Sequence, residues 1–509
     1  MGTTPEKVAD TFAISCKPGI KRDGTALDGD FYVDGEWVRF RNGRPKKMGG
    51  FREIVADLLG PIRGVFAYAN HPSQLIYTFS GDGIEVTPVD GNGVGGAHYD
   101  RTPVGFVASD YLWTADVVYD STGTPATKII VHAANTSIDD NTAFNVYYGD
   151  ASATTALAAF GTPQTVSGGV VAIGPFTFLY GSNGLIKNSV ANDPDTYTGG
   201  DANSANPVGT KVVKGLQLRG AANSPAGLFW SLDSLIRVSY VGGSALWRYD
   251  VITSNTNILA QNSVIEVDGV YYWIGVDRFL MYNGTVRELP NPMNQDFFFD
   301  NLNPAGAYKV WATIVPRWGE IWWHFPKGES DECNHAIVYN YREGTWYDTP
   351  TFTGRSAGVS PKVLNFPVWA GSEEGDDGYS IFRHETGVDS VIGETQTAIT
   401  SWFETCNLGI AAGGPIENQP VGKDQWTQLV SLEPDFVQTG DMSIIAVTQQ
   451  YAQGAEDESD ESTFTPTQGK IDMRLQGRLL RLRFISNTQG GNYMMGKTLM
   501  SLEPGDVRS

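Results

Sequence analysis

The sequence predicts an all-β protein built around a β-propeller, and three features carry that expectation. Composition is the first: 13 Trp, 22 Tyr and 24 Phe stand beside 59 Gly, with only 18% charged residues. Aromatic rings suit a pleated surface, and glycine supplies the positive φ of tight turns. The second is a recurrence of strand–turn–strand signals from about residue 30 to residue 390, none of them spanning a convincing amphipathic helix. The third is loose self-similarity. "FNVYYGD", "FLMYNGT" and "AIVYNYREGTW" end their strands alike, and many short strands with a turn every 8 to 12 residues or so favour a propeller over a single sandwich.

Residues 1–54 read as an extended arm and hairpin. The stretch "FYVDGEWVRFRNGRPKKMGGF" holds two turn signals, Asp34-Gly35 and Asn42-Gly43, dipeptides that readily adopt the left-handed geometry of two-residue hairpins. Residues 55–392 read as the propeller, and roughly 45 to 60 residues per blade gives about six blades. "SVIEVDGVYYWIGVDRFLMYNGTVREL" reads as three strands hinged at Asp268-Gly269 and Asn283-Gly284. Further hairpins turn at Pro316 to Gly319, near Glu343-Gly344 and at Gly81 to Gly83. "NDPDTYTGGDANSANPVG" and "GSEEGDDGYS" read as exposed loops. Residues 393–509 read as a separate small β-domain, in which Leu480, Leu482 and Phe484 alternate with Arg481 and Arg483 as in a half-buried strand.

At 509 residues and 41% hydrophobic, the chain can bury substantial cores without metal or disulfide help. Cys16, Cys333 and Cys406 are odd in number and far apart, which implies neither a disulfide framework nor a thiolate zinc site and fits a reducing compartment. No apolar run approaches the roughly 18 residues of a membrane span, and the N-terminus has no signal-peptide core, so a soluble protein made inside a cell is expected. A net charge of -21 argues against gripping a nucleic-acid backbone, which draws on clustered Lys and Arg.

Catalytic constellations are scarce. No G-x-S-x-G elbow, H-E-x-x-H, phosphate-cradling glycine loop or dinucleotide fingerprint occurs, and the six His are scattered. Cys333 and His335 in "DECNHA" sit two apart, a spacing ordinary for a loop entering a strand. The carboxylate pairs Glu373-Glu374, Asp376-Asp377 and Asp139-Asp140 could serve glycoside hydrolysis only across a cleft, and in Gly-rich loops they read as solvated charge. Trp311, Trp318, Trp322, Trp323 and Trp346 could stack on sugars, but strand alternation explains them as core packing. No catalytic, cofactor or metal residue is assigned, and an enzyme is not expected.

Three segments together resemble a known family: "PGIKRDGTALDGDFYVDGEWVRFRNGRPKKMGGF", "EIWWHFP…AIVYNYREGTWYD" and "KIDMRLQGRLLRLRFISN…GGNYMMGKTLMSLEPGDVR". They look like the tail hub or nozzle proteins of short-tailed bacteriophages, the packaged-DNA stabilisation type, with no diagnostic catalytic motif. The resemblance implies a propeller body, a hexameric ring on the tail axis, attachment to the portal-adaptor complex and double-stranded DNA passing through a channel without specific binding. It places the protein in the virion tail, assembled in the host cytoplasm. A glycan-binding or glycan-hydrolysing tail propeller is the alternative. An acidic wall would repel DNA and ease its exit, so the basic cluster of Arg39, Arg41, Arg44, Lys46, Lys47 and Arg52 is expected to dock on an acidic neighbour. A solvated hairpin edge that discourages stray strand pairing is the competing reading. Glu373, Glu374, Asp376 and Asp377 are candidates for a channel-facing position, as is the acidic loop "EDESDE".

Overall fold

The structure, a computed structural model, describes residues 9–25, 30–70, 73–106, 112–134, 140–219, 225–243, 245–351, 354–372, 378–408, 425–451 and 453–507. Strand accounts for 54% of the chain and helix for 4%. The all-β expectation therefore holds. One short α-helix, Gln295–Asn301, is seated by the Asp23 carboxylate, which accepts hydrogen bonds from the backbone N–H groups of Asp296 (3.0 Å) and Phe297 (2.8 Å).

Among the described residues, seven sheets, each with at least four strands in an up-and-down order, follow one another around a ring. Their first strands are Ile62–Asn70, Leu112–Asp120, Gly169–Ile173, Val212–Gln217, Ile265–Val267, Trp311–Val315 and Arg355–Val359. The first strand of the seventh sheet lies against that of the first, which closes the ring. About six blades were expected. The extra sheet was hard to see because residues from Arg355 to His384 supply only three of its strands, and the fourth, Phe51–Val55, arrives from the N-terminal side of the chain. The three look-alike segments have a common place: Phe144–Asp150, Phe279–Tyr282 and His335–Asn340 are each the third strand of their sheet.

Alternation along the strands builds the core between sheets. Tyr77 and Trp113 pack between the first and second sheets, Ile130 and Val170 between the second and third, and Ile173 and Phe229 between the third and fourth. Trp230 and Trp273 meet edge to face between the fourth and fifth, with centroids 5.8 Å apart, a geometry that adds about 0.5–1.5 kcal/mol to area burial. Phe279 and Trp323 join the fifth to the sixth, and Ile62 and Ile381 join the seventh back to the first. Adjacent sheets are thus held by aromatic and branched side chains filling the wedge between them.

The N-terminal segment, expected as an arm, is threaded through the C-terminal β-domain. Asp10–Ala13 pairs with Leu499–Val507, Asp34–Glu36 with Ser401–Glu404, and Arg44–Lys47 with Asn492–Met495. Asp34-Gly35 is consequently strand and not the turn its sequence suggests. Its glycine answers a close approach instead: a Cβ there would lie 2.9 Å from the Trp402 carbonyl oxygen and 2.9 Å from Val38 Cγ1. One continuous apolar core runs from Trp37 and Phe40 through Trp322 and Trp369 of the ring to Leu482 and Phe484 of the C-terminal domain. The loop at 192–209 also contributes a strand, Asn203–Ala205, to the rim of the third sheet.

Candidate functional site

The basic hairpin consists of Val38–Arg41 and Arg44–Lys47, turning at Asn42 (φ 50°) and Gly43 (φ 75°) as that dipeptide foretells. Arg39 pairs across the ladder with Lys46, and Arg41 with Arg44, so these four cations share one face. That face covers Trp318, at the turn between the first two strands of the sixth sheet. The charges of Arg39, Arg41 and Lys46 stand 4.7, 4.9 and 5.9 Å from its ring centroids, and Arg317 adds a fourth at 4.8 Å.

Depth sorts the six expected docking residues. Arg39 is only 1% exposed, and its guanidinium spans two carboxylates: Nη1 and Nη2 each lie 2.6 Å from Glu385, while Nε and Nη2 lie 2.8 and 3.1 Å from Glu320. Trp322 and Tyr347 also donate to Glu320, at 2.9 and 2.7 Å, and Trp318 Nε1 donates to Glu385 at 2.6 Å. Burial works against the arginine's charge, but the two carboxylates outweigh it and raise its pKa. Glu320 is pushed up by burial, whereas in Glu385 the nearby Arg39 overcomes burial and holds the carboxyl below its ordinary range. Lys47, 2% exposed, faces the C-terminal domain and donates to the Gly491 carbonyl at 2.9 Å. Arg39 and Lys47 thus fasten the hairpin within the chain and are withdrawn from the docking set.

Arg41, Arg44 and Arg52 are exposed, and Lys46 is half-buried. Among the described residues no carboxylate closes an ion pair with Arg41, Arg44, Lys46 or Arg317. Burial, followed by repulsion from Arg39, Arg41 and Arg317, lowers the pKa of Lys46. Arg342 completes the surface; it donates to the carbonyls of Pro316 (2.8 Å) and Arg317 (3.2 Å), which holds its charge beside the others. Between them lies a cleft of about 300 Å³ floored by Trp318, with Glu343 at its rim accepting the Asn42 N–H at 2.9 Å. Arg52 stands apart, on the fourth strand of the seventh sheet. Sequence reasoning missed Arg317, Arg342 and the aromatic floor, because Trp318 lies more than 270 residues from the hairpin and was grouped with the core tryptophans. Trp311, Trp322, Trp323 and Trp346 are indeed buried.

The other candidates fare as follows. Glu373, Glu374, Asp376, Asp377 and Asp139 lie outside the described residues, while Asp140 accepts from the Thr142 N–H at 2.8 Å in a local turn. In "EDESDE", Glu456 is tied to Arg481 and Glu458 to Arg483 (2.9 Å), and both arginines also reach Glu404. Cys333 is buried, its thiol pushed far up by desolvation, and points to the Lys309 carbonyl. His335 turns away from it to Asp348 at 2.9 Å, which Arg22 also holds at 3.0 Å. That carboxylate sits well below its usual range because Arg22 and His335 together overcome its burial. These groups form a structural ion-pair cluster without a nucleophile. Among the described residues no three His, Cys, Asp or Glu side chains gather as a metal site, and no helix is long and apolar enough to cross a membrane.

No protein-family model matches this chain, and no curated protein does.

Proposed function

We propose that the chain is a structural component of a short-tailed phage tail, of the hub or nozzle type, which assembles by docking its Trp318 surface on an acidic face of a neighbouring subunit or of the adaptor. The observation that carries this reading is the cleft itself: Arg41, Lys46 and Arg317 crowd one indole, and Arg342 lines the same cleft, on a molecule whose formal charge is -21. Like charges are costly to gather, so a surface that gathers them with only Glu343 at its rim, and no carboxylate paired to Arg41, Lys46 or Arg317 among the described residues, is best satisfied by carboxylates from outside. Arginine and tryptophan are also the side chains that most often dominate binding energy at interfaces.

Support comes as well from the way the body is built. The hairpin that presents the cleft is clamped to the ring through Arg39 and sewn to the C-terminal domain through Lys47 and strand pairing. In this reading DNA does not run along the axis of a single ring of sheets, where side chains from all seven first strands leave a cavity of only about 340 Å³. In this reading the conduit lies between copies, whose acidic surfaces leave a polyanion free to slide.

Charge reversal tests the proposal. The double variant Arg41→Glu/Arg317→Glu is expected to lose assembly with its copies or the adaptor while keeping the wild-type melting transition, and raising salt should weaken wild-type assembly, since exposed charges are screened beyond about 8 Å at physiological ionic strength. Unchanged assembly in the variant would overturn the docking role. Release of reducing sugar from bacterial surface polysaccharide would favour the glycan-cleaving alternative instead.

A further inference from the structure

The first strands of the seven sheets surround the 340 Å³ axial cavity, and its wall is divided. One side, from the seventh, first and sixth sheets, is apolar, with Val65, Phe66, Trp311 and Ala357. Gly358 is required there, since a Cβ would come within 2.5 Å of Trp369 and 2.8 Å of Trp311. The opposite side carries charge. Asp116 accepts the Ala172 N–H at 2.9 Å and the Val117 N–H at 2.8 Å, which leaves lone pairs toward the cavity. Lys214 donates to Asn262 Oδ1 at a long 3.3 Å. Glu266 is answered by Arg219 at 3.0 Å.

Asp116 and Lys214 face the same space yet close no ion pair with each other among the described residues. We propose that the axial cavity is a binding site for a small zwitterion of the α-amino-acid class with an apolar side chain, its carboxylate on Lys214, its ammonium on Asp116 and its side chain against Phe66 and Trp311. A volume of 340 Å³ is at the lower end of ligand pockets, which run from about 300 to 1,000 Å³. An anion alone would leave Asp116 unserved, and a cation alone would leave Lys214 so; a zwitterion serves both and adds nothing to the charge of the chain. Burial draws the Lys214 ammonium down to about 8 against the pull of Asp116, and burial raises the Asp116 carboxyl. This inference does not depend on the tail assignment.

The test uses the full chain with L-leucine and L-phenylalanine as probes, against isoamylamine and isocaproate, which lack the carboxylate and the ammonium respectively. Calorimetry should show saturable binding of at least one amino acid, with both controls at least about tenfold weaker. The same amino acid should protect Lys214 from acylation by acetic anhydride, read by mass spectrometry on wild-type protein, so the result does not hinge on a variant folding. Lys214→Gln, checked for a wild-type melt, should abolish binding. Absence of heat and of protection at roughly 10 mM, or equal binding of leucine and its two controls, would overturn the proposal.

Discussion

Replacing Arg39 by Met removes one cation from between two carboxylates that have almost no access to water. Glu320 is 0% and Glu385 10% exposed at the side chain, and Arg39 supplies four contacts between 2.6 and 3.1 Å. Breaking a buried pair by deleting one partner costs about 3–5 kcal/mol, and here two acids are stranded, so a loss of about 4 kcal/mol or more is expected at pH 7.5. The pH dependence is the sharper test. In the native protein Glu385 is held below its ordinary range by Arg39 and contributes stability that is lost as pH falls. In the variant, burial, the largest influence on both carboxyls, loses its main opponent and is met by the hydrogen bonds from Trp318, Trp322 and Tyr347. Both carboxyls then rise above their unfolded values, so the folded state binds protons more tightly and gains stability as pH falls through the raised values. The deficit should narrow by roughly half between pH 7.5 and pH 5. Urea denaturation followed by tryptophan fluorescence measures it, with Trp318 and Trp322 donating into the same cluster. Combining Arg39→Met with Glu320→Gln and Glu385→Gln should recover much of the loss. A deficit below about 1 kcal/mol, typical of a surface pair, or one that widens in acid, would refute the clamp.

Other consequences are equally direct. Lys47 is pulled down to about 8 by burial, with Asp389 opposing, so its cost is present below that value and fades as pH climbs toward its unfolded pKa; wild-type stability should rise between pH 8 and 10, and Lys47→Met should flatten that rise by an amount on the order of 2 kcal/mol. Gly358→Ala would drive a methyl into Trp369 and Trp311, and overpacking of this kind costs about 1–3 kcal/mol, readable as a lower denaturation midpoint. Deleting residues 1–54 removes all but Val55 of the strand Phe51–Val55 from the seventh sheet and three strands paired to the C-terminal domain; the truncated chain should lose its cooperative melt, whereas a dispensable arm would leave the melt unchanged.

Much of the architecture was legible because strand signals are local. The hairpins at Asn42-Gly43 and Asp268-Gly269 take the positive φ that their residues prefer, and the alternation of Leu480, Leu482 and Phe484 buries that face. Arg481 broke the pattern, being 8% exposed, because Glu404 and Glu456 meet it on the supposedly open side. Asp34-Gly35 misled for a similar reason: its glycine meets a distant strand, and no local pattern records which strand that is. The seventh sheet and the threading of the N-terminal segment share one cause that no local pattern records: a single N-terminal stretch both completes that sheet and pairs with the C-terminal domain. The basic cleft over Trp318 was half visible. Density of charge picked out Arg41, Arg44 and Lys46, but only the fold could separate them from Arg39 and Lys47 or bring in Arg317, Arg342 and Trp318.

The most direct measurement is native mass spectrometry of the full chain, alone and with a short-tail adaptor, for the wild type and for Arg41→Glu/Arg317→Glu. The account predicts ring-sized or adaptor-bound species for the wild type and monomer for the variant, with matching melts. Equal assembly of the two proteins, at the same salt and concentration, would contradict it.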